Sequence, residues 1–224
     1  NSLANTLDGG GGEDVLAGGV ANDYYLVDSA GDTVVESLLE GTDTVEFSGF
    51  ATYTLPNNVE RLILGAGAVD GVGNSLSNTL TGNSSANSLL GAAGKDLLIG
   101  GDGNDTLSGA STSNRNEIDT LTGGVGNDLF VLGNASTVFY NDAYTSQVGV
   151  TDYAYITDFT PGADQLQLRG VAASYYLGSH TVTALSAHQG LFLEAGSTDE
   201  LVAIIATAGA ALSAANTIEA ARFV

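Results

Sequence analysis

A nine-residue rhythm constrains this chain more than any other feature of it. Gly9-Gly10-Gly11-Gly12-Glu13-Asp14-Val15-Leu16-Ala17 is followed at once by Gly18-Gly19-Val20-Ala21-Asn22-Asp23-Tyr24-Tyr25-Leu26. The shape returns in the blocks that start at Gly100 and Gly123, always with an acid at the sixth place and a large apolar residue at the eighth. The sixth place reads Asn5, Asp14, Asp23, Asp32 and, after a two-residue slip, Asp43. It resumes as Asn78, Asn87, Asp96 and Asp105, then Asp119 after a five-residue insertion, then Asp128. The eighth place keeps step as Leu7, Leu16, Tyr25, Val34, Val45, Leu80, Leu89, Leu98, Leu107, Leu121 and Phe130.

Nine residues suit a glycine-rich turn followed by a short strand with one inward apolar side chain. Two such units make one coil of a parallel β-solenoid, whose coils share strand hydrogen bonds and a stripe of core residues. The expected fold is therefore all-β, a parallel β-roll.

The turns carry a second message. Calcium takes roughly 6–8 oxygen ligands from carboxylates and backbone carbonyls. A glycine-rich turn offers carbonyls and the sixth-place side chain offers charge. The candidate ligands are Asp14, Asp23, Asp32, Asp43, Asp96, Asp105, Asp119 and Asp128, with Asn5, Asn78 and Asn87. They are joined by the turn residues Gly10, Gly12, Gly19, Ala21, Gly94, Gly101, Gly103, Gly124 and Gly126. Since one coil uses two repeats, each ion is expected between repeat n and repeat n+2. That sets Asp14 across from Asp32, and Asp23 between Asn5 and Asp43. It also sets Asp96 between Asn78 and Asp119, and Asp105 between Asn87 and Asp128. Roughly 4–8 ions would fill the gaps of suitable chemistry.

Good turn formers in a hairpin-rich protein would explain the composition, but not a nine-residue spacing locked to an apolar eighth place. An EF-hand is excluded, because the nearest candidate, from Asp102, has Ser113 where the twelfth-position glutamate belongs.

The blocks at Gly9, Gly100 and Gly123 match the repeat throughout, and the block at Gly18 departs only at Ala21. In these residues the chain resembles the RTX family, the hemolysin-type calcium-binding repeats of secreted bacterial proteins. The block at Gly91 keeps Gly94 and Asp96 but has Ala92 and Lys95. Blocks at Gly73 and Gly82 carry asparagine in place of aspartate, and with residues 1–8 are expected to be weak sites or capping coils. The resemblance implies calcium-dependent folding, secretion through a type I apparatus, and an extracellular or cell-surface location. The segment 156–168 and the ending Ala221-Arg222-Phe223-Val224 are similar to regions that follow such repeats and to type I signals.

The charge balance agrees. Asp and Glu number 26 against 5 Lys and Arg, a formal net charge of −21. A compact state with that self-repulsion needs cations, and about six calcium ions would neutralise about 12 of those charges. Nucleic acid and anionic membranes need a basic footprint that is missing. There is no cysteine, hence no disulfide or thiolate metal site. The longest apolar run, Leu201 to Leu212, is too short to span a bilayer. Asn1 begins within a repeat, so the N-terminus is expected to be a processing boundary.

The rhythm divides the chain into a β-roll over 1–132 and a β-rich C-terminal region, 133–224, that caps it and carries the export signal. Within the roll, calcium clusters at about 1–46 and 73–132 flank metal-poor strands over 47–72. There Glu36, Glu40, Glu46 and Glu60 read as solvated strand and turn residues rather than ligands. Asp158 and Asp164 read equally well as turn formers. Tyr140, Tyr144, Tyr153 and Tyr155 form either a packing cap or a binding surface. Residues 208–221 are alanine-rich and are expected to start a short helix.

No enzyme signature is present. His180 and His188 lack zinc-protease spacing, and there is no nucleophile elbow or phosphate-binding loop. The expected role is a calcium-binding folding and secretion module. The alternatives are a calcium-stabilised subunit that self-assembles into an extracellular filament, surface layer or matrix, and a polysaccharide-binding module of an exoenzyme.

Overall fold

A computed structural model of the chain describes residues 1–110, 117–140, 152–170, 174–179, 189–193, 200–207 and 221–223. Within them the chain winds as a parallel β-solenoid with two facing sheets. The first sheet takes every second strand: β1 (Thr6–Asp8), β3 (Tyr24–Val27), β5 (Thr44–Phe47), β7 (Arg61–Leu64), β9 (Thr79–Thr81), β11 (Leu97–Asp102), β13 (Ile118–Val125) and β15 (Tyr153–Phe159). The second takes the alternate strands β6 (Tyr53–Thr54), β8 (Asp70–Val72), β10 (Ser88–Ala92), β12 (Thr106–Ala110), β14 (Leu129–Val131), β16 (Gln165–Leu168) and β20 (Ala221–Phe223). The pair β2 (Val15–Leu16) and β4 (Thr33–Val34) stands at the N-terminal end.

The nine-residue period produces this layout directly. Thr79 pairs with Leu97 and Ser88 with Thr106, so one coil consumes two repeats. The slip before Asp43 and the insertion before Asp119 leave the strand register intact: Tyr24 still pairs with Thr44 and Leu97 with Thr120. Strand side chains alternate between faces. The sixth and eighth places of a repeat therefore share the inner face, and the seventh points out.

The eighth-place residues Tyr25, Val45, Leu80, Leu89, Leu98, Leu107, Leu121 and Phe130 are buried in one continuous core. Each large apolar side chain removed from water contributes about 1.5–3 kcal/mol. Phe47 stacks on Tyr53 at 4.8 Å, and Phe130 meets Phe159 at 6.2 Å.

Both sheets run on beyond Leu132, where the nonapeptide rhythm stops. β15 pairs in parallel with β13, and β16 with β14. The first sheet ends in β19 (Glu200–Thr207), parallel to β15, then the antiparallel β18 (Gln189–Leu193) and β17 (Tyr175–Ser179). Tyr140 is fully buried, and Tyr153 and Tyr155 pack against Leu201 and Ile204. These three tyrosines are thus packing residues. Tyr144, the two histidines and residues 208–220 of the helix expected over 208–221 lie outside the described residues, and Ala221, the last of that segment, starts strand β20 instead. Among the described residues no helix is long and apolar enough to cross a membrane.

Candidate metal centre

The sixth-place side chains form ladders along the solenoid. In each, one carboxylate oxygen accepts a hydrogen bond from the main-chain N–H of the equivalent residue one coil earlier. Asn5 N–H donates to Asp23 Oδ1 at 2.6 Å, Asp14 to Asp32 at 3.0 Å and Asp23 to Asp43 at 2.8 Å. The same bond joins Asn78 to Asp96 at 2.7 Å and Asp96 to Asp119 at 2.8 Å. It also joins Asn87 to Asp105 at 2.7 Å and Asp105 to Asp128 at 2.9 Å. Every pairing expected from the n and n+2 rule is therefore brought together in space.

The second oxygen of these groups is the telling one. Oδ2 of Asp14, Asp23, Asp96, Asp105 and Asp128 is buried with no hydrogen-bond partner. A buried carboxylate oxygen without a partner costs several kcal/mol of desolvation, on the order of 1–3 or more for a charged group. Burial accordingly pushes the Asp96 carboxyl up to about 8, and those of Asp119 and Asp128 up to about 6. Asp43 and Asp105 are raised for the same reason. Orphaned, desolvated oxygens at regular spacing are what an all-oxygen cation site consists of before its ion is counted. The residues fit calcium.

The turns between the ladders share one backbone geometry. Gly10, Gly12, Gly19, Ala21, Gly94, Gly101, Gly103, Gly124 and Gly126 occupy the second and fourth places and have φ between 71° and 155°. Successive turns also nest closely: a Cβ on Gly103 would stand 2.6 Å from the Ser85 carbonyl oxygen. The first place is closed by the site itself, since a Cβ on Gly100 would collide with the Asp105 carboxylate and stand 2.5 Å from Gly123 O.

Two coils solve the same problem without charge. Asn83 Nδ2 donates to Gly65 O at 2.8 Å and Ala68 O at 2.7 Å, and Asn74 Nδ2 donates to Pro56 O at 2.7 Å and Val59 O at 2.8 Å. Asn78 and Asn87 turn their own Nδ2 to Val59 O and Ala68 O, both at 3.2 Å. These amides donate to the carbonyls of the preceding coil, the partners a cation would otherwise take.

Three acids that read as solvated or turn residues belong to the inner surface. Asp43 N–H donates to Glu60 Oε2 at 2.8 Å, and Asp128 N–H donates to Asp164 Oδ1 at 3.0 Å, so both extend the ladders. Glu36 is buried rather than solvated, and its Oε2 has no hydrogen-bond partner. Continuing the coil count through the middle of the chain would have found Glu60, which lies 17 residues beyond Asp43. Asp158 instead accepts from Gly123 and Gly124 N–H, at 3.0 and 2.8 Å, and closes a turn.

Comparison with known proteins places this geometry. Residues 1–34, 72–107 and 116–136 match the family model described as RTX calcium-binding nonapeptide repeat (4 copies). These segments are RTX repeats, and the solenoid they build is a calcium-binding repeat module. No curated protein matches the chain. Among solved structures, the AlgE6R3 subunit of the Azotobacter vinelandii mannuronan C5-epimerase is similar at 22% identity, over 66% of this chain and 78% of that one, with a TM-score of 0.46. The extracellular lipase LipA from Serratia marcescens is similar at 12% identity, over 100% of this chain and 39% of that one, with a TM-score of 0.35.

Proposed function

We propose that the chain is a calcium-dependent folding and export module of a secreted bacterial RTX protein, a binding module rather than a catalyst. The sixth-place residues Asp14, Asp23, Asp32, Asp43, Asp96, Asp105, Asp119 and Asp128 hold the ions, together with the carbonyls of the glycine turns. The observation that carries this reading is the set of buried, unpartnered Oδ2 atoms. Without cations these groups oppose folding, and with cations their binding energy becomes folding energy. A chain kept open where free calcium is scarce stays threadable through a type I secretion apparatus. It closes on reaching an extracellular medium rich in calcium. The roll over 1–132 is the sensing part, and the region 133–224 terminates it and carries the export signal.

Circular dichroism with light scattering during a calcium titration of the metal-stripped chain tests this, with magnesium as control. A cooperative, calcium-selective gain of β signal is expected. A fully folded, calcium-indifferent chain would overturn the reading. Scattering that grows with calcium would favour a self-assembling extracellular subunit.

A further inference from the structure

Glu36 breaks the repeat in an informative way. Val35 N–H donates to Leu16 O at 2.9 Å, so Glu36 stands one coil beyond Gly18, where the repeat calls for glycine. In place of an empty first position, this coil turns a carboxylate inward. One carboxylate oxygen each of Asp23, Glu36 and Asp43 lies within 4.8 Å of the others, and all three residues are buried. Asp23 is only 2% exposed, and its Oδ2, like Glu36 Oε2, has no hydrogen-bond partner. The fully buried Tyr25 hydroxyl accepts from Gly18 N–H at 2.8 Å and donates to Glu36 Oε1, orienting the glutamate.

We propose that Asp23, Glu36 and Asp43 form a discrete hard-cation site, different in make-up from the other turns, and that it is the tightest calcium site of the chain. It rests on the calcium reading above, and adds a third carboxylate that the nonapeptide pattern does not contain. Affinity of oxygen sites for hard cations rises with the number of charged ligands. Three carboxylates also hold a trivalent lanthanide more tightly than calcium, because the attraction grows with the charge on the ion.

Terbium reports on such a site, because the Tyr25 ring beside Glu36 can sensitise its emission. Titration of the stripped chain with Tb³⁺ under tyrosine excitation is expected to show one early, calcium-displaceable phase. Glu36→Gln should weaken that first phase about tenfold or more, leaving the later ones in place. Tyr25→Phe should abolish the early emission while calorimetry still counts the ion. Early emission that survives Tyr25→Phe, or an unchanged first phase in Glu36→Gln, would overturn the proposal. Should Glu36→Gln fail to fold, the Tyr25→Phe arm alone decides. Calcium-driven folding of the parent chain with either negative result would sink this site and leave the calcium reading standing. A parent chain indifferent to calcium would remove both.

Discussion

Tyr140 donates its hydroxyl hydrogen to Asp119 Oδ2 at 2.7 Å, and the phenol is fully buried. Asp119 Oδ1 is meanwhile taken by Asp96 N–H, so this carboxylate has a protein partner on each oxygen. Its neighbours Asp96, Asp105 and Asp128 each keep one oxygen without a partner. The tyrosine therefore does at this coil part of what a bound cation would do at the others. Tyr140→Phe should strip Asp119 Oδ2 of its donor and destabilise the folded chain by about 1–3 kcal/mol. Urea denaturation in saturating calcium measures it, and an unchanged midpoint would show that the hydroxyl contributes nothing.

Asp105 separates the two roles of a ladder carboxylate. Oδ1 accepts from Asn87 N–H, and Oδ2 is buried and unpartnered. Asp105→Asn preserves the shape and an Oδ1 able to accept from Asn87 N–H, but removes the charge. It should fold to the same solenoid while requiring about threefold to tenfold more calcium. Asp105→Ala should lose the ladder bond as well and unfold at lower urea. If Asp105→Asn titrates like the parent, Asp105 is not a ligand.

Much of this architecture was legible because two registers run together. A sixth-place acid and an eighth-place apolar residue share the inner face of a strand, so Asp105 and Leu107 announce both the turn and the core. The pairing of Asp96 with Asn78 and Asp119 followed from counting two repeats per coil. What stayed hidden lies where the count changes. Glu60 continues the ladder after a 17-residue step, and its longer side chain does not look like a repeat aspartate. Asp164 sits 36 residues beyond Asp128, and local turn chemistry explained it as well. Glu36 was unreadable for a different reason: burial of a charged side chain depends on the facing coil, and no spacing rule expects acid where glycine belongs.

Ala21 tests the turn geometry independently of any ion. It holds φ of 106° at a fourth place where Gly12, Gly94, Gly103 and Gly126 stand in other repeats. A side chain in positive-φ backbone costs about 1–2 kcal/mol. Ala21→Gly should therefore stabilise the folded chain, by about 1 kcal/mol once the added freedom of the unfolded glycine is set against the relief. The reverse change, Gly103→Ala, adds that strain and sets a Cβ 2.6 Å from Ser85 O, so it should destabilise by more. Thermal unfolding in calcium checks both signs, and a destabilised Ala21→Gly would contradict the turn assignment.

The metal-free chain should lose stability as pH rises, and calcium should remove that loss. Burial raises the carboxyls of Asp96 to about 8 and of Asp119 and Asp128 to about 6, from an ordinary value of 3.8. At pH below that ordinary value both folded and unfolded chains hold these protons, and the groups do not oppose folding. As pH rises, the unfolded chain releases them first while the folded chain retains them, so it is the folded state that loses relative stability. The loss grows through about pH 4 to 8 and is complete once Asp96 is ionised. The stripped chain should thus be most resistant to urea near pH 4 and weakest near pH 8, as a value-by-value comparison at about 4.5, 6 and 8 would show. Calcium takes the place of the protons, so the affinity of the folded chain for calcium should rise over the same range. Stability of the stripped chain that climbs with pH would mean these carboxylates are ionised and satisfied without metal, and the cation sites assigned to them would have to be abandoned.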